Sequence, residues 1–312
     1  MTAFLDVRAL WGGGEVSGKV QIKTATSAAD YTDLSLGALL NFIDGRDVLI
    51  GTHGFNVNRT DGINCLSKWE ALLSLPASGV FVGVLWPGDS ESVHALSYPS
   101  EPQHAVAAGA MIAAFVDANF GNAASLSFVS HSLGARVILE AMSKLQSPVR
   151  RAILMAGAIG DDCLNTEYSD VAAKVGSVSV MASKEDDVLR WAFPIGDLAA
   201  GIIDGDHPWF ESALGRFGPR TRPEHFQSPC QIPDEWNYGH GDYLRVVPPA
   251  PQKLPPDPAI PAVGPPPLGG EPGWQEAWSA SVVSGRFVLP DQTTGSGTLL
   301  NVASRRGLRK GV

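Results

Sequence analysis

The chain has 312 residues, of which 44% are hydrophobic and 18% charged, so it can bury a sizeable core. Its formal net charge of −9 at pH 7 argues against a nucleic-acid partner. Three widely spaced cysteines, Cys65, Cys163 and Cys230, fit neither a disulfide framework nor a zinc site. No apolar run approaches the roughly 18 residues of a membrane span, and the first residues lack a signal-peptide pattern. We therefore expect a cytoplasmic protein without a membrane span.

The first elements along the chain are predicted to form a β-hairpin, because Phe4–Leu10 and Val16–Thr24 flank Trp11 and three glycines. Farther along, short apolar runs alternate with helical patterns. Predicted strands cover residues 48–52, 80–85, 126–129, 152–156 and 178–182, and predicted helices cover 66–75, 104–119, 133–145 and 164–175. This alternation predicts an α/β fold, with a mostly parallel central sheet and helices on both faces.

Composition changes abruptly after Val247, where a proline-rich stretch begins. Proline cannot donate a backbone hydrogen bond, so residues 248–273 are predicted to be an extended linker, with a ligand for an SH3-type domain as the alternative. The predicted organisation is an α/β domain over residues 1–247, this linker, and a C-terminal tail over residues 274–312. One short strand, Ser281–Leu289, is predicted within the tail.

The segment Phe128-Val-Ser-His-Ser-Leu-Gly134 joins a predicted strand to a predicted helix. A strand that turns sharply into a helix through this pattern lifts the central hydroxyl, here Ser132, onto a strained bend. Small residues are needed two positions before and after it, because strand and helix pass close together. Gly134 satisfies that requirement, and Ser130 stands where glycine is usual. Ser132 is therefore the candidate nucleophile.

A hydroxyl nucleophile needs a base to accept its proton and a carboxylate to orient that base. Asp186 follows a predicted strand at the sheet edge where catalytic groups gather, and it is the candidate acid. Asp187 and Glu185 are adjacent alternatives. His240 lies in a late loop between two glycines that free the backbone, and it is the candidate base. His131 is expected to face away from the nucleophile.

A tetrahedral intermediate needs two fixed N–H donors aimed at its negatively charged oxygen. One donor is expected from Leu133, directly after the nucleophile. The other is expected from Phe55, in the His53-Gly-Phe turn that follows the strand 48–52.

With these motifs the chain resembles the α/β-hydrolase superfamily, and in particular its bacterial serine-esterase and lipase-like branch. The resemblance runs from about Val48 to Tyr243 and rests on His53-Gly-Phe, Leu85-Trp-Pro-Gly, Ser130-His-Ser-Leu-Gly, Ser183-Lys-Glu-Asp-Asp-Val-Leu and His240-Gly-Asp-Tyr. It implies an α/β-hydrolase fold with Ser132 as nucleophile, Asp186 as acid and His240 as base. It also implies that Phe55 and Leu133 form the oxyanion hole. Ser130 departs from the usual glycine of the family motif.

The implied activity is hydrolysis of carboxylic esters through an acyl-enzyme, with no cofactor and no metal. A small-molecule or polymeric ester is the expected substrate, and short to medium acyl chains are favoured. The alternatives are an amidase, peptidase or thioesterase on the same fold, or a non-catalytic interaction protein that retains the motif.

Overall fold

The computed structural model describes residues 1–9, 15–73, 75–89, 101–190, 212–221, 228–232, 234, 238–244, 288–290 and 297–299. The predicted turn at Trp11 and the proline-rich linker lie outside these residues, so the division into catalytic domain, linker and tail stays a prediction.

A nine-stranded sheet forms the centre of the described part of the chain. Its spatial order is β3-β2-β1-β5-β4-β6-β7-β8-β9. The strands are β1 (Thr2–Arg8), β2 (Val16–Ala25), β3 (Thr32–Asp33), β4 (Asp47–Thr52), β5 (Gly79–Leu85), β6 (Ser125–His131), β7 (Val149–Met155), β8 (Val178–Ala182) and β9 (Ser228–Gln231). In this spatial order, every neighbouring pair from β1 through β5 and β4 to β9 is parallel. The pairs β1–β2 and β2–β3 are antiparallel.

Apolar runs explain why the central strands form. Neighbouring side chains on a strand point to opposite faces. All seven residues of β1 and all five of β8 are buried, so both faces of the sheet are covered at these strands. The covering helices are α1 (Leu36–Ile43), α2 (Arg59–Leu72), α3 (Glu101–Asn119), α4 (Gly134–Lys144), α5 (Ser169–Lys174) and α6 (Leu214–Phe217).

The predicted fold class is confirmed: a mostly parallel sheet is flanked by helices and extended by N-terminal antiparallel strands. The five predicted central strands all form, each within three residues of its predicted bounds. Strands β3 and β9 and helices α1 and α6 lie outside the predicted elements.

Two predicted helices have different bounds in the structure. Helix α2 begins at Arg59 rather than near Leu66, because the side chain of Asn58 accepts a hydrogen bond from the Asp61 N–H and caps an earlier start. Helix α5 covers only Ser169–Lys174, since the residues before it form a series of turns.

The predicted tail strand Ser281–Leu289 lies largely outside the described residues. What the structure describes there is a short antiparallel pair, β10 (Val288–Pro290) and β11 (Gly297–Leu299), in a sheet of its own.

Candidate functional site

Ser132 occupies the turn between β6 and α4 in a strained backbone conformation. Its φ is 54°, in the left-handed region that residues other than glycine rarely adopt. Gly134 begins α4 so close to the end of β4 that a Cβ there would collide with the His53 carbonyl oxygen. Ser130 is fully buried, and its hydroxyl has no hydrogen-bond partner among the residues that the structure describes. A small side chain is therefore accommodated where glycine is usual.

The structure brings Ser132, His240 and Asp186 together at the carboxyl edge of the sheet. The Ser132 hydroxyl lies 2.8 Å from Nε2 of His240 and donates to it. On the other side of the ring, Nδ1–H of His240 donates to Oδ2 of Asp186, also at 2.8 Å. The His240 ring is therefore assigned its proton on Nδ1, because the Ser132 hydroxyl needs an acceptor at Nε2 and the Asp186 carboxylate needs a donor at Nδ1. The three side chains come from positions 54 and 108 residues apart along the chain.

Of the three neighbouring carboxylates considered, only Asp186 is buried, with no exposed surface. Its second oxygen, Oδ1, accepts the Leu189 N–H at 2.9 Å, which fixes the orientation of the carboxylate. Asp187 and Glu185 are exposed to solvent. The geometry therefore places Asp186, and neither of its neighbours, against His240.

The loop that carries His240 is held at three successive backbone positions. The Ser183 hydroxyl donates to the Tyr238 carbonyl at 2.7 Å. The Gly239 N–H donates to Oδ2 of the buried Asp242 at 2.6 Å. The His240 carbonyl accepts from Nε2 of His131 at 2.6 Å.

The expectation that His131 faces away from the site is wrong. Its ring centroid lies 4.8 Å from that of His240, and the side chain is buried. The ring reaches the His240 loop because β6 ends at His131, directly beneath the turn that presents Ser132.

The His53-Gly-Phe turn passes directly beside Ser132. A Cβ on Gly54 would lie 2.7 Å from Cβ of Ser132, so only glycine allows this approach. The His53 side chain donates from Nδ1 to the Gly54 carbonyl at 2.9 Å, and the Trp86 indole donates to the His53 carbonyl at 2.9 Å. Because no peptide bond in the described residues is cis, fixing the Gly54 carbonyl also fixes the opposite direction of the Phe55 N–H.

A buried arginine at the end of the first strand holds two segments that lie next to this turn. Arg8 donates from one guanidinium nitrogen to the Trp86 carbonyl at 2.9 Å and the Val57 carbonyl at 3.2 Å. It also forms an ion pair with Asp89. The sequence offers no signal for this role, because Arg8 is a lone cation at the end of a strand and its partners lie about 50 to 80 residues away along the chain.

Two histidines beside the site are held neutral. Burial lowers the pKa of His53 to about 3, and it lowers the pKa of His131 to about 3, with a further contribution from the neighbouring His240. The neutral form suits both rings, because each donates one N–H hydrogen bond: His53 to the Gly54 carbonyl and His131 to the His240 carbonyl.

No group of three His, Cys, Asp or Glu side chains that could hold a metal ion occurs within the described part of the chain. Over the same residues, no helix is long and apolar enough to cross a membrane.

Fold and site geometry together define an α/β hydrolase. The family described as "alpha/beta hydrolase of unknown function (DUF900)" matches residues 30–208, which is more than half of the chain. The chain therefore belongs to this family, and the predicted superfamily is confirmed. A search of curated protein sequences gives no match.

Several solved structures are similar to this chain at low identity. Esterase PE8 is 19% identical over 63% of this chain and 86% of its own, with a TM-score of 0.34. A hyperthermophilic esterase from Pyrobaculum calidifontis is 12% identical over 64% of this chain and 70% of its own, with a TM-score of 0.35. Dipeptidyl peptidase 4 of Porphyromonas gingivalis is 11% identical over 73% of this chain and 33% of its own, with a TM-score of 0.36. Similarity at this level says nothing about the reaction of this chain.

Proposed function

We propose that this protein is a serine hydrolase that cleaves carboxylic esters through an acyl-enzyme intermediate. The observation that carries the proposal is the continuous hydrogen-bonded chain from the Ser132 hydroxyl through His240 to the buried Asp186. Such a chain activates a hydroxyl that is otherwise a weak nucleophile.

In the first half-reaction, Oγ of Ser132 attacks the ester carbonyl carbon while Nε2 of His240 accepts the hydroxyl proton. Asp186 keeps the ring in the required tautomer and stabilises the imidazolium that forms. His240 then returns the proton to the leaving alcohol, and the acyl group stays on Ser132. In the second half-reaction, water takes the place of the alcohol and the same proton transfers release the carboxylic acid.

The N–H groups of Phe55 and Leu133 are proposed to hold the oxyanion. Two observations support Phe55: Gly54 lies against Ser132, and His53 fixes the peptide plane that carries the Phe55 N–H. The position of Leu133 supports its N–H as the second donor. Leu133 lies between Ser132 and the first turn of α4, where helix N–H groups lack intrahelical partners. Loss of one such donor typically lowers kcat by about 100- to 1,000-fold.

Esters are favoured over amides as substrates because an alkoxide leaving group needs less acid assistance than an amine. Short to medium acyl chains are the proposed preference, because the aromatic residues of the segment 201–238 would suit an apolar acyl group. Of these aromatic residues, Phe217 is the last residue of α6. The others lie outside the described residues: Trp209, Phe210, Phe226 and Trp236. A series of p-nitrophenyl esters from acetate to laurate, with a matched thioester and anilide, separates esterase, lipase, thioesterase and amidase preferences.

The test of the proposal is the substitution Ser132→Ala, with Ser127→Ala on the same strand as the matched control. Ser132→Ala is expected to lower kcat for p-nitrophenyl esters by about 10⁶-fold and to abolish labelling by a fluorophosphonate. Ser127→Ala should leave both unchanged. Wild-type rates in folded Ser132→Ala, or labelling mapped to another serine, would overturn the assignment.

A further inference from the structure

His131 is a buried side chain for which the reaction as proposed has no use. It lies between two segments that serve the site: Nδ1 is 3.2 Å from the position of a Cβ on Gly54, and Nε2 is 2.6 Å from the His240 carbonyl. Tyr243 lies near the same ring, with centroids 6.2 Å apart. The imidazole therefore contacts both the turn that carries Phe55 and the loop that carries His240.

Among the described contacts, His131 is the side chain that binds the backbone of residue 240 itself. The other two anchors act on its neighbours, Ser183 on Tyr238 and Asp242 on Gly239. The glycines on either side of His240 lose more conformational freedom on ordering than other residues do. Each anchor of this loop therefore matters for keeping the His240 ring in place. A displacement of about 1 Å at a reacting group can cost about 100-fold in rate.

We infer that His131 is a positioning residue for the proposed reaction: its Nε2–H group holds the His240 carbonyl and thereby keeps the His240 ring within reach of Ser132. The inference rests on the proposed role of His240 as the base. His131 itself touches neither substrate nor the transferred proton.

The side chain is suited to this position because it donates a hydrogen bond while remaining neutral. Burial and the neighbouring His240 lower the pKa of His131 to about 3. At neutral pH it therefore places no positive charge beside His240, which becomes positively charged during each half-reaction. A lysine or arginine at this position could donate the same hydrogen bond but would oppose that charge.

The experiment compares His131→Leu, which removes the donor, with His131→Gln, whose amide N–H₂ can reach the position of Nε2. We expect His131→Leu to lower kcat for a p-nitrophenyl ester by about 10- to 100-fold with KM nearly unchanged. His131→Gln should recover most of the loss. The rate of fluorophosphonate labelling of Ser132 should fall and recover in parallel. Val149→Ala, at the opposite end of the sheet, is the control for lost packing and should label at the wild-type rate.

Equal rates in wild type and His131→Leu would overturn the inference, as would an equal loss in the leucine and glutamine variants. If His131→Leu does not fold, His131→Asn takes its place, because its amide is too short to reach the His240 carbonyl. The asparagine variant should then be slow and the glutamine variant fast, and equal rates would overturn the inference. Failure of wild-type Ser132 to react with the fluorophosphonate would instead overturn the proposed function.

Discussion

Single residues at this site are held in conformations that cost stability. Ser132 has a φ of 54°, and Asn56 in the turn beyond Phe55 has a φ of 56°. A residue other than glycine in this region costs about 1–3 kcal/mol and persists only where its surroundings impose it. Here the Ser132 N–H donates to the Met155 carbonyl and the Asn56 N–H donates to the Gly88 carbonyl, so neighbouring strands and loops impose both turns.

The two adjacent aspartates give a sharp test of the proposed acid. Asp186→Asn replaces the carboxylate with an amide that cannot accept both the His240 and Leu189 N–H groups equally well, which favours the wrong tautomer of the ring. We expect kcat to fall by about 10³- to 10⁴-fold. Asp187→Asn changes an exposed side chain and should alter kcat less than twofold. Steady-state hydrolysis of a p-nitrophenyl ester measures both, and a larger loss in Asp187→Asn would move the acid to that residue.

At the scale of elements, the site depends on the close crossing of β4 with the start of α4. Gly134 and Gly54 allow this crossing, because an added Cβ at either would contact the opposite segment at less than 3 Å. Glycine also lets α3 approach α4 at Gly109, where an added Cβ would lie 2.5 Å from the Val137 carbonyl oxygen. The turn at Ser132 is thus held in place by packing between elements as well as by its own backbone conformation.

Gly134→Ala should separate this packing effect from helix propensity, with Gly37→Ala as the matched control. The alanine methyl at position 134 meets the His53 carbonyl, which cannot move without shifting β4, so we expect a loss of about 2–4 kcal/mol in the free energy of unfolding. Gly37 lies in the first turn of α1 with no atom within 4 Å of an added Cβ. Its replacement should stabilise by about 0.5–1 kcal/mol. Urea unfolding measures both, and a stabilised Gly134→Ala variant would contradict the proposed crowding.

Sequence patterns predict the elements of this fold better than their spatial arrangement. Apolar runs such as Val80–Leu85 are visible because burial on both faces demands them. The position of β1 between β2 and β5 depends on pairings about 80 residues apart, which no local pattern records. The start of α2 at Arg59 is set by a polar cap ahead of weakly periodic residues.

The same distinction holds at the site. Ser132, Asp186 and His240 follow from motif, chain order and position at strand ends, and the structure brings these three side chains together. Ser183, Asp242 and Arg8 act through backbone carbonyls and N–H groups, whose partners depend on the fold. His131 was misjudged for a related reason: its neighbour along the chain, Ser132, is known from sequence, but the loop that lies over its ring is not.

At the scale of the whole molecule, two buried neutral histidines should make stability depend on pH. The pKa values of His53 and His131 are both lowered to about 3, whereas an exposed histidine has a pKa of about 6.5. Between these values the unfolded chain binds protons that the folded chain does not. The free energy of unfolding should therefore fall as pH decreases below about 6.5, by about 1.4 kcal/mol per pH unit for each histidine once its unfolded form is protonated.

Urea unfolding of wild type and His131→Gln at several pH values from about 7.5 to 4.5 measures this effect. The lower limit stays above the range where carboxylates such as Asp47 and Asp117, whose pKa values are lowered, take up protons in the folded chain. We expect the glutamine variant to show a shallower fall than wild type by the contribution of one histidine. Identical slopes would mean that His131 is protonated in the folded protein.

The position of the His240 loop late in the chain has a consequence for synthesis. The turn that presents Ser132 is built from segments complete by residue 182, but the imidazole that would activate it arrives 108 residues after the hydroxyl. On a ribosome, the core of the sheet can form around a serine that has no reactivity yet. A newly made chain would therefore gain the proposed hydrolytic activity only after Gly239–Asp242 has packed beside Ser132 at the carboxyl edge of the sheet.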